Sequence, residues 1–317
     1  MSTTQHNTLY NNSFHWSFLS TRYWLTWLGL CLSFFVSLLP FVLILFIGRC
    51  IGRFFYYTNG SRVVIARINL SHCFPEKSEQ DRESLLRKNF EAVGMGIMEV
   101  CIAWWWPHWR LKRKVKVEGL EHLKKDDGRG TVLMIMHFTT VELAGSFVPL
   151  FHSIDATYRE HKNPVFEYVQ RNRRQRHEGQ GELLGRRDVR GMIRSLKRGR
   201  TVWYAPDQDY GRKHSIFTRF FGIQTAMVTG TSRFARMGNA RVIPMTLLRK
   251  PGAKGYQLRF YPPLPKFPSD DEQADTQRVS DFIEKQIEAH PDQYMWLHRR
   301  FKTRPEGETL FYPKKQH

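Results

Sequence analysis

At 317 residues and 41% hydrophobic composition, the chain has ample apolar content for one large domain or two small ones. Its formal net charge of +20 demands an anionic partner, which nucleic acid, anionic phospholipid, a phosphorylated glycolipid or an acidic carrier protein would each satisfy. The four cysteines (Cys31, Cys50, Cys73 and Cys101) lack CxxC spacing, which argues against a disulfide scaffold or a zinc site and fits a reducing compartment.

Residues 1–20 read as a polar, Asn/Thr/Ser-rich tail. From Tyr23 to Gly48 there is no Asp, Glu, Lys or Arg, and a run of that length suffices for a membrane helix, placed at 21–50. Tyr23, Trp24 and Trp27 sit at one end as interfacial aromatics, and Arg49 and Arg53 follow the other. Only Arg22 precedes the run, so the positive-inside bias assigns residues 51–317 to the cytoplasm. Pro40 marks a place where the helix can kink or dip into one leaflet. Residues 52–66 mix basic and apolar side chains and are expected along the membrane surface.

Pro75 and Ser78 open a predicted helix from Glu79 through Trp105, running into Trp104, Trp105 and Trp106, a cluster equally suited to core packing and to an interfacial belt. Beyond it the period alternates. Strands are predicted at 114–119, 131–136, 201–205, 240–249 and 255–261, and helices at 141–151, 188–199, 229–237 and 271–290. Gly199, Gly238 and Pro291 act as helix stops. Such alternation means an α/β fold with a mixed, largely parallel sheet flanked by helices.

His137 ends the buried strand TVLMIM, and the helix holding Glu142 begins just after it. Ligands gather at the carboxyl ends of strands in open α/β sheets, where a neutral imidazole can take a hydroxyl proton while a carboxylate fixes its tautomer. The competing explanation is structural: Thr139 and Glu142 have capping-box spacing, and His137 can be a core histidine. No G-x-S-x-G elbow, P-loop, HExxH or dinucleotide glycine fingerprint is present, which favours direct attack by an acceptor hydroxyl. An oxyanion formed in that attack needs donors, with backbone amides opening the 141–151 helix and Arg159 as candidates.

Arg159 lies in TYREHKNP, where Asn163-Pro164 signals a turn, and Arg171, Arg173, Arg174, Arg176, Arg186 and Arg187 crowd the next stretch. Arginine suits a phosphorylated headgroup or phosphopantetheine arm, and a solvated basic face explains most of these equally well. Arg159, Arg186 and Arg187 stand out because they sit at predicted element ends. Asp207 and Asp209 in YAPDQDYG can bind a metal, orient a hydroxyl or hold a turn. His298 has no evident partner.

HFTTVE (137–142), YREHKNP (158–164), GRRDVRGMIRSLKRG (185–199), WYAPDQDYG (203–211) and QYMWLHRRFKTRP (293–305) occur in an order that resembles the late, lauroyl-type acyltransferases of bacterial lipid A biosynthesis, within the lysophospholipid acyltransferase-like superfamily. RYWLTWLGL (22–30), LSHCFPEKSEQDR (70–82) and NFEAVGMGIMEVCIAWWWP (89–107) extend the likeness over nearly the whole chain. The resemblance implies a glycerolipid acyltransferase-like fold and transfer of a fatty acyl group from acyl carrier protein to the 3-hydroxyl of an acyl chain on a Kdo-bearing lipid A precursor. It implies an inner-membrane enzyme facing the cytoplasm, in contact with inner membrane phospholipid, with no metal or organic cofactor and no nucleic-acid partner. By the same resemblance His137 is the general base oriented by Glu142, and Arg159 aids catalysis or binds phosphate. Asn163, Arg186, Arg187, Asp188, Asp207 and Asp209 then face substrate.

The segment between His137 and Glu142, His161-Lys162 and the stretch 179–182 depart from the pattern expected of the family. The rival activities are acylation of a glycerophospholipid or another glycolipid and, on charge alone, membrane-tethered nucleic-acid binding, which assigns His137 no role.

Overall fold

The N-terminal apolar run forms two helices where one was expected. In the computed structural model, which describes residues 13–124, 127–177, 179–185 and 187–313, α1 (Trp24–Leu38) stops at Leu39 and α2 (Phe41–Thr58) resumes after Pro40. Proline offers no N–H to continue a helix and forces its predecessor out of helical geometry. Leu39 accordingly sits at φ −61°, ψ 157°. The carbonyls exposed at the break find donors in the sheet domain. Trp106 Nε1 donates to Ser37 O at 2.8 Å, and Arg110 donates to Ser37 O and Leu39 O at 3.2 and 3.1 Å.

Most of the expected polar tail, residues 1–12, lies outside the described residues. Its last residues are packed: Phe18 is buried against Tyr168, and Trp27 Nε1 donates to the Phe18 carbonyl at 2.8 Å.

Among the described residues α2 is the one helix long and apolar enough to cross a membrane, which is consistent with membrane association. α3 (Gly60–Cys73) comes next, and α4 (Glu79–Trp105) is capped by Ser78 Oγ, which accepts from Asp81 N at 3.1 Å. α2 lies along α4 at backbone contact, since a methyl group at Gly52 or Gly94 would collide with the carbonyl of Phe90 or Gly48. Trp104 and Trp106 are core residues, each with its indole N–H bonded; Trp105 donates to Ser33 Oγ at 2.8 Å and stacks under Arg173.

The chain then alternates through α5 (His108–Lys112), β1 (Val115–Glu118), α6 (Leu120–Lys124), β2 (Gly130–Met134), α7 (Val141–Phe147) and β3 (Ile154–Tyr158). It continues through α8 (Pro164–Gln175), β4 (Gln180–Gly185), α9 (Val189–Lys197), β5 (Thr201–Tyr204) and a β6 (Ser215–Phe220)–β7 (Ile223–Val228) hairpin. α10 (Gly230–Gly238), β8 (Ala240–Arg249), β9 (Tyr256–Phe260) and α11 (Glu272–Ala289) complete it.

Seven strands form one sheet in the order β1-β9-β8-β2-β5-β3-β4, with β8–β9 the antiparallel pair. The mixed, largely parallel sheet expected from the sequence is therefore present. β2 is buried along its whole length. Leu133, Ile135, Ile154 and Trp203 face α7 and α8, while Val132, Met134 and Val202 face α9 and α10.

Asn163-Pro164 opens a helix where a turn was expected. Asn163 Oδ1 accepts from Val165 N and Phe166 N at 3.0 and 3.2 Å, and Pro164 takes the first helical position. Consequently Arg171, Arg173 and Arg174 stand on α8, not on a loop.

Candidate active site

His137 follows β2, and Asp207 follows β5, the strand paired beside it. Adjacent parallel strands deliver both residues to the same end of the sheet. The His137 ring Nδ1 lies 2.6 Å from Asp207 Oδ1, and the His137 backbone N–H donates to Oδ2 at 2.7 Å. One carboxylate thus clamps both ring and backbone of a single residue. Tyr294 Oη also donates to Oδ2, at 3.1 Å, and Met295 N donates to His137 O at 2.9 Å. The segment carrying Tyr294 therefore braces the loop from a second side.

An ionised carboxylate only accepts, so the Nδ1 proton points at Asp207 and Nε2 keeps its lone pair. Burial alone would depress the imidazole pKa, but the charge and hydrogen bond of Asp207 outweigh it and hold His137 above the ordinary histidine value. Asp207 shows the converse: burial pushes its carboxyl up, and the His137 charge and hydrogen bonds bring it below the usual value.

Glu142, expected to orient His137, is engaged elsewhere. It accepts from Arg174 Nη2 at 2.5 Å, Arg174 Nε at 3.1 Å and Trp104 Nε1 at 3.1 Å. The reason is geometric: Glu142 lies on the first turn of α7, which packs against α4 and brings the carboxylate to Trp104. Burial would raise this carboxyl, but Arg174 and Trp104 together hold it low. The capping-box alternative is also not realised. Thr140, not Thr139, is the N-cap, and Thr139 Oγ1 accepts from Arg249 Nη2 at 2.9 Å.

Around these residues opens a cavity of about 1160 Å³ that wraps over the carboxyl ends of the central strands. His137, Glu142, Arg159, Arg174 and Arg187 line it, with Ile135, Trp203 and Gly145 on one face of the sheet and Met192, Phe234 and Met237 on the other. Arg159, directly after β3, has no acidic partner among the described residues. Arg186 lies outside the described residues.

Three predicted substrate contacts are occupied in holding the fold. Asp188 caps α9 through Gly191 N at 2.8 Å, and Asn163 caps α8 while its Nδ2 donates to Thr26 Oγ1 at 2.8 Å. Asp209 accepts from Gly211 N, Thr303 N and Thr303 Oγ1 at 2.7–2.8 Å, tying the strand-end turn to the C-terminal segment. His298, without an evident partner in sequence, accepts from Asp209 N at 3.2 Å, and burial pushes it down to about 4. Among the described residues no three His, Cys, Asp or Glu side chains gather as a metal site.

Of the backbone amides considered as oxyanion donors at the start of α7, that of Val141 donates to the Phe138 carbonyl at 3.0 Å, and the amides of 137, 138 and 139 in the loop before the helix are likewise bonded within the protein. Arg174, Trp104 and Tyr294 were not singled out from sequence. Tyr294 lay inside the noted motif QYMWLHRRFKTRP, and Arg174 was hidden in a run of like charges.

The sequence model of the family described as bacterial lipid A biosynthesis acyltransferase matches residues 11–303. A lipid A biosynthesis lauroyltransferase of Escherichia coli K12 is 42% identical over 297 residues, 93% of this chain and 96% of that protein. The palmitoleoyltransferase of the same organism is 40% identical over 298 residues, with the same shares covered. A lipid A biosynthesis acyltransferase of Haemophilus influenzae is 39% identical, covering 92% of this chain and 94% of that one. Among solved structures, a 1-acyl-sn-glycerophosphate acyltransferase of Thermotoga maritima aligns at TM-score 0.37 and 17% identity over 79% of this chain and 97% of that one, a likeness that carries no weight for function.

Proposed function

The chain belongs to the bacterial lipid A biosynthesis acyltransferases, and on that premise we propose that it moves a fatty acyl group from acyl carrier protein to the 3-hydroxyl of an acyl chain on a Kdo-bearing lipid A precursor. The observation that carries the mechanism is the His137–Asp207 pair at the strand ends, with Nε2 turned to a cavity large enough for lipid chains.

Neutral His137 takes the proton of the acceptor hydroxyl through Nε2 as the oxygen attacks the thioester carbonyl. Asp207 stabilises the imidazolium that forms. The tetrahedral intermediate collapses, the C–S bond breaks, and the imidazolium returns the proton to the departing thiolate. Arg159, with no acidic partner among the described residues, is the donor for the oxyanion or a substrate phosphate, and Arg187 meets a second anionic group. Glu142 acts one step removed, holding Arg174 in the cavity wall.

The exposed apolar side chains of α1 and α2, among them Leu25, Leu28, Phe35 and Phe46, sit in the inner membrane, with the sheet domain in the cytoplasm. The test is acyl transfer by the detergent-purified protein to a Kdo-modified tetra-acyl precursor from a panel of carrier thioesters. Addition of one acyl group, lost in His137→Ala, is expected. Transfer to a glycerophospholipid instead would replace this acceptor.

A further inference from the structure

The cavity has two arms, one on each face of the sheet, and they are built differently. The arm over α9 and α10 is rimmed by arginine: Arg187 and Arg233 line it. The arm under α7 starts beside the Glu142–Arg174 pair and descends from Ile135 and Val141, past Trp203 and Ala156, to Ile154 and Gln180, and its wall carries Gly145.

Glycine in a helix interior is unfavourable relative to alanine unless close packing requires it. Close packing explains Gly230 in the other arm, where a Cβ would strike the Tyr204 ring. It does not explain Gly145, because a Cβ there would meet nothing within 4 Å. Leu143, Ala144, Ser146 and Phe147 around it are all buried, so Gly145 shares the cavity face of α7 with Val141 and Glu142. It stands one turn beyond Val141, about 6 Å further along the helix axis from the loop that carries His137. Ile154 lies two residues deeper along β3 than Ala156, and it and Gly145 both line the cavity.

We propose that the α7 arm is the acyl-chain site and that Gly145 sets the length of chain it admits, by leaving its deep end open. The inference rests on the acyl-transfer reading above. The occupant is a fatty acyl chain, from either the thioester donor or the hydroxyacyl group of the acceptor.

The experiment compares wild type, Gly145→Ala and Gly145→Leu as full-length protein in detergent. Donors run from decanoyl to palmitoyl thioesters, and a parallel series shortens the acceptor's hydroxyacyl chain. Gly145→Leu is expected to raise the ratio of short-chain to long-chain kcat/KM about tenfold or more, the scale at which pockets discriminate small changes in apolar length. Gly145→Ala moves it the same way by less. A shift in the donor series assigns the arm to the donor, and one in the acceptor series assigns it to the acceptor. Unchanged ranking in both series, with melting temperature preserved, overturns the proposal. If Gly145→Leu does not fold, the alanine variant decides. A fluorescent long-chain fatty acid provides a readout free of turnover. If wild type transfers nothing, the activity reading fails alone as long as this probe binds wild type and is weakened by Gly145→Leu. Equal probe binding by both proteins sinks the arm assignment.

Discussion

Two charge clusters hang from the same short loop after β2, and they are made of similar parts. His137 pairs with Asp207 at the cavity, whereas Thr139, two residues on, joins a buried knot of Arg249, Glu99 and Tyr256. In the knot Arg249 Nη2 reaches Glu99 Oε2 at 2.8 Å, and Tyr256 Oη donates to Glu99 Oε1 at 2.7 Å. Glu99 is 1% exposed, and only Nη1 of Arg249 is left without a partner. In the His137 cluster the side chain is a quarter exposed, and Nε2 finds no partner among the described residues. A carboxylate–cation pair holds a fold when its bonding capacity is used up inside the protein. A carboxylate paired with a neutral imidazole becomes available for chemistry when the ring keeps one lone pair back at a cavity wall.

The contrast breaks most visibly at His137. His137→Ala should cut kcat by about 10²–10⁴, the contribution of a positioned base, with little change in melting temperature. Glu99→Ala should do the reverse. Leaving Arg249 buried and unpaired should cost about 3–5 kcal/mol in denaturant unfolding, while the remaining folded fraction keeps its specific activity. A kinetic defect larger than the folding defect would erase the division between the clusters.

Asp207→Asn sharpens the comparison through pH. The carboxylate holds His137 above the ordinary histidine value, and only neutral imidazole is a base, so wild-type kcat/KM should fall as pH drops through that raised pKa. Without the negative charge, burial acts unopposed and the acid limb should move to lower pH. The plateau should fall by about a hundredfold, the lower end for a positioned base. A limb that stays in place would detach Asp207 from the imidazole's titration.

The smallest effect belongs to Glu142→Gln. It should lower kcat/KM by about tenfold, the scale of one hydrogen bond to a charged group, and leave the pH profile unmoved, because Glu142 holds Arg174 and not the base. A shifted acid limb in that variant would return Glu142 to the role expected from sequence.

Much of the scaffold was legible because it is periodic. The α4 helix from Glu79 to Trp105, the strand 240–249 and the apolar run of β2 carry their signals locally. β3, α8 and β4 were missed for the opposite reason. α8 buries only Val165, Glu167 and Val169 of its twelve residues, too sparse a stripe to stand out from its charges. His137 could be placed at a strand end, but its partner could not, because 70 residues separate it from Asp207 and their meeting depends on β2 and β5 being neighbours. Spacing along the chain pointed to Glu142, while sheet order selected Asp207.

The loop from His137 to Glu142 has one more consequence, for how such a sequence can drift. Four of its six side chains are tied to three separate parts of the molecule: His137 to the end of β5 through Asp207, Thr139 and Thr140 to α4 and β8 through Arg249, Glu99 and the Leu247 carbonyl, and Glu142 to α8 through Arg174. A single inserted or deleted residue would throw at least one of these ties out of register, and no adjustment elsewhere could restore all three. A substitution at one position loses a single tie, whereas a change of length displaces several at once. Over time the count of residues in this stretch should therefore stay frozen, even where a single letter changes.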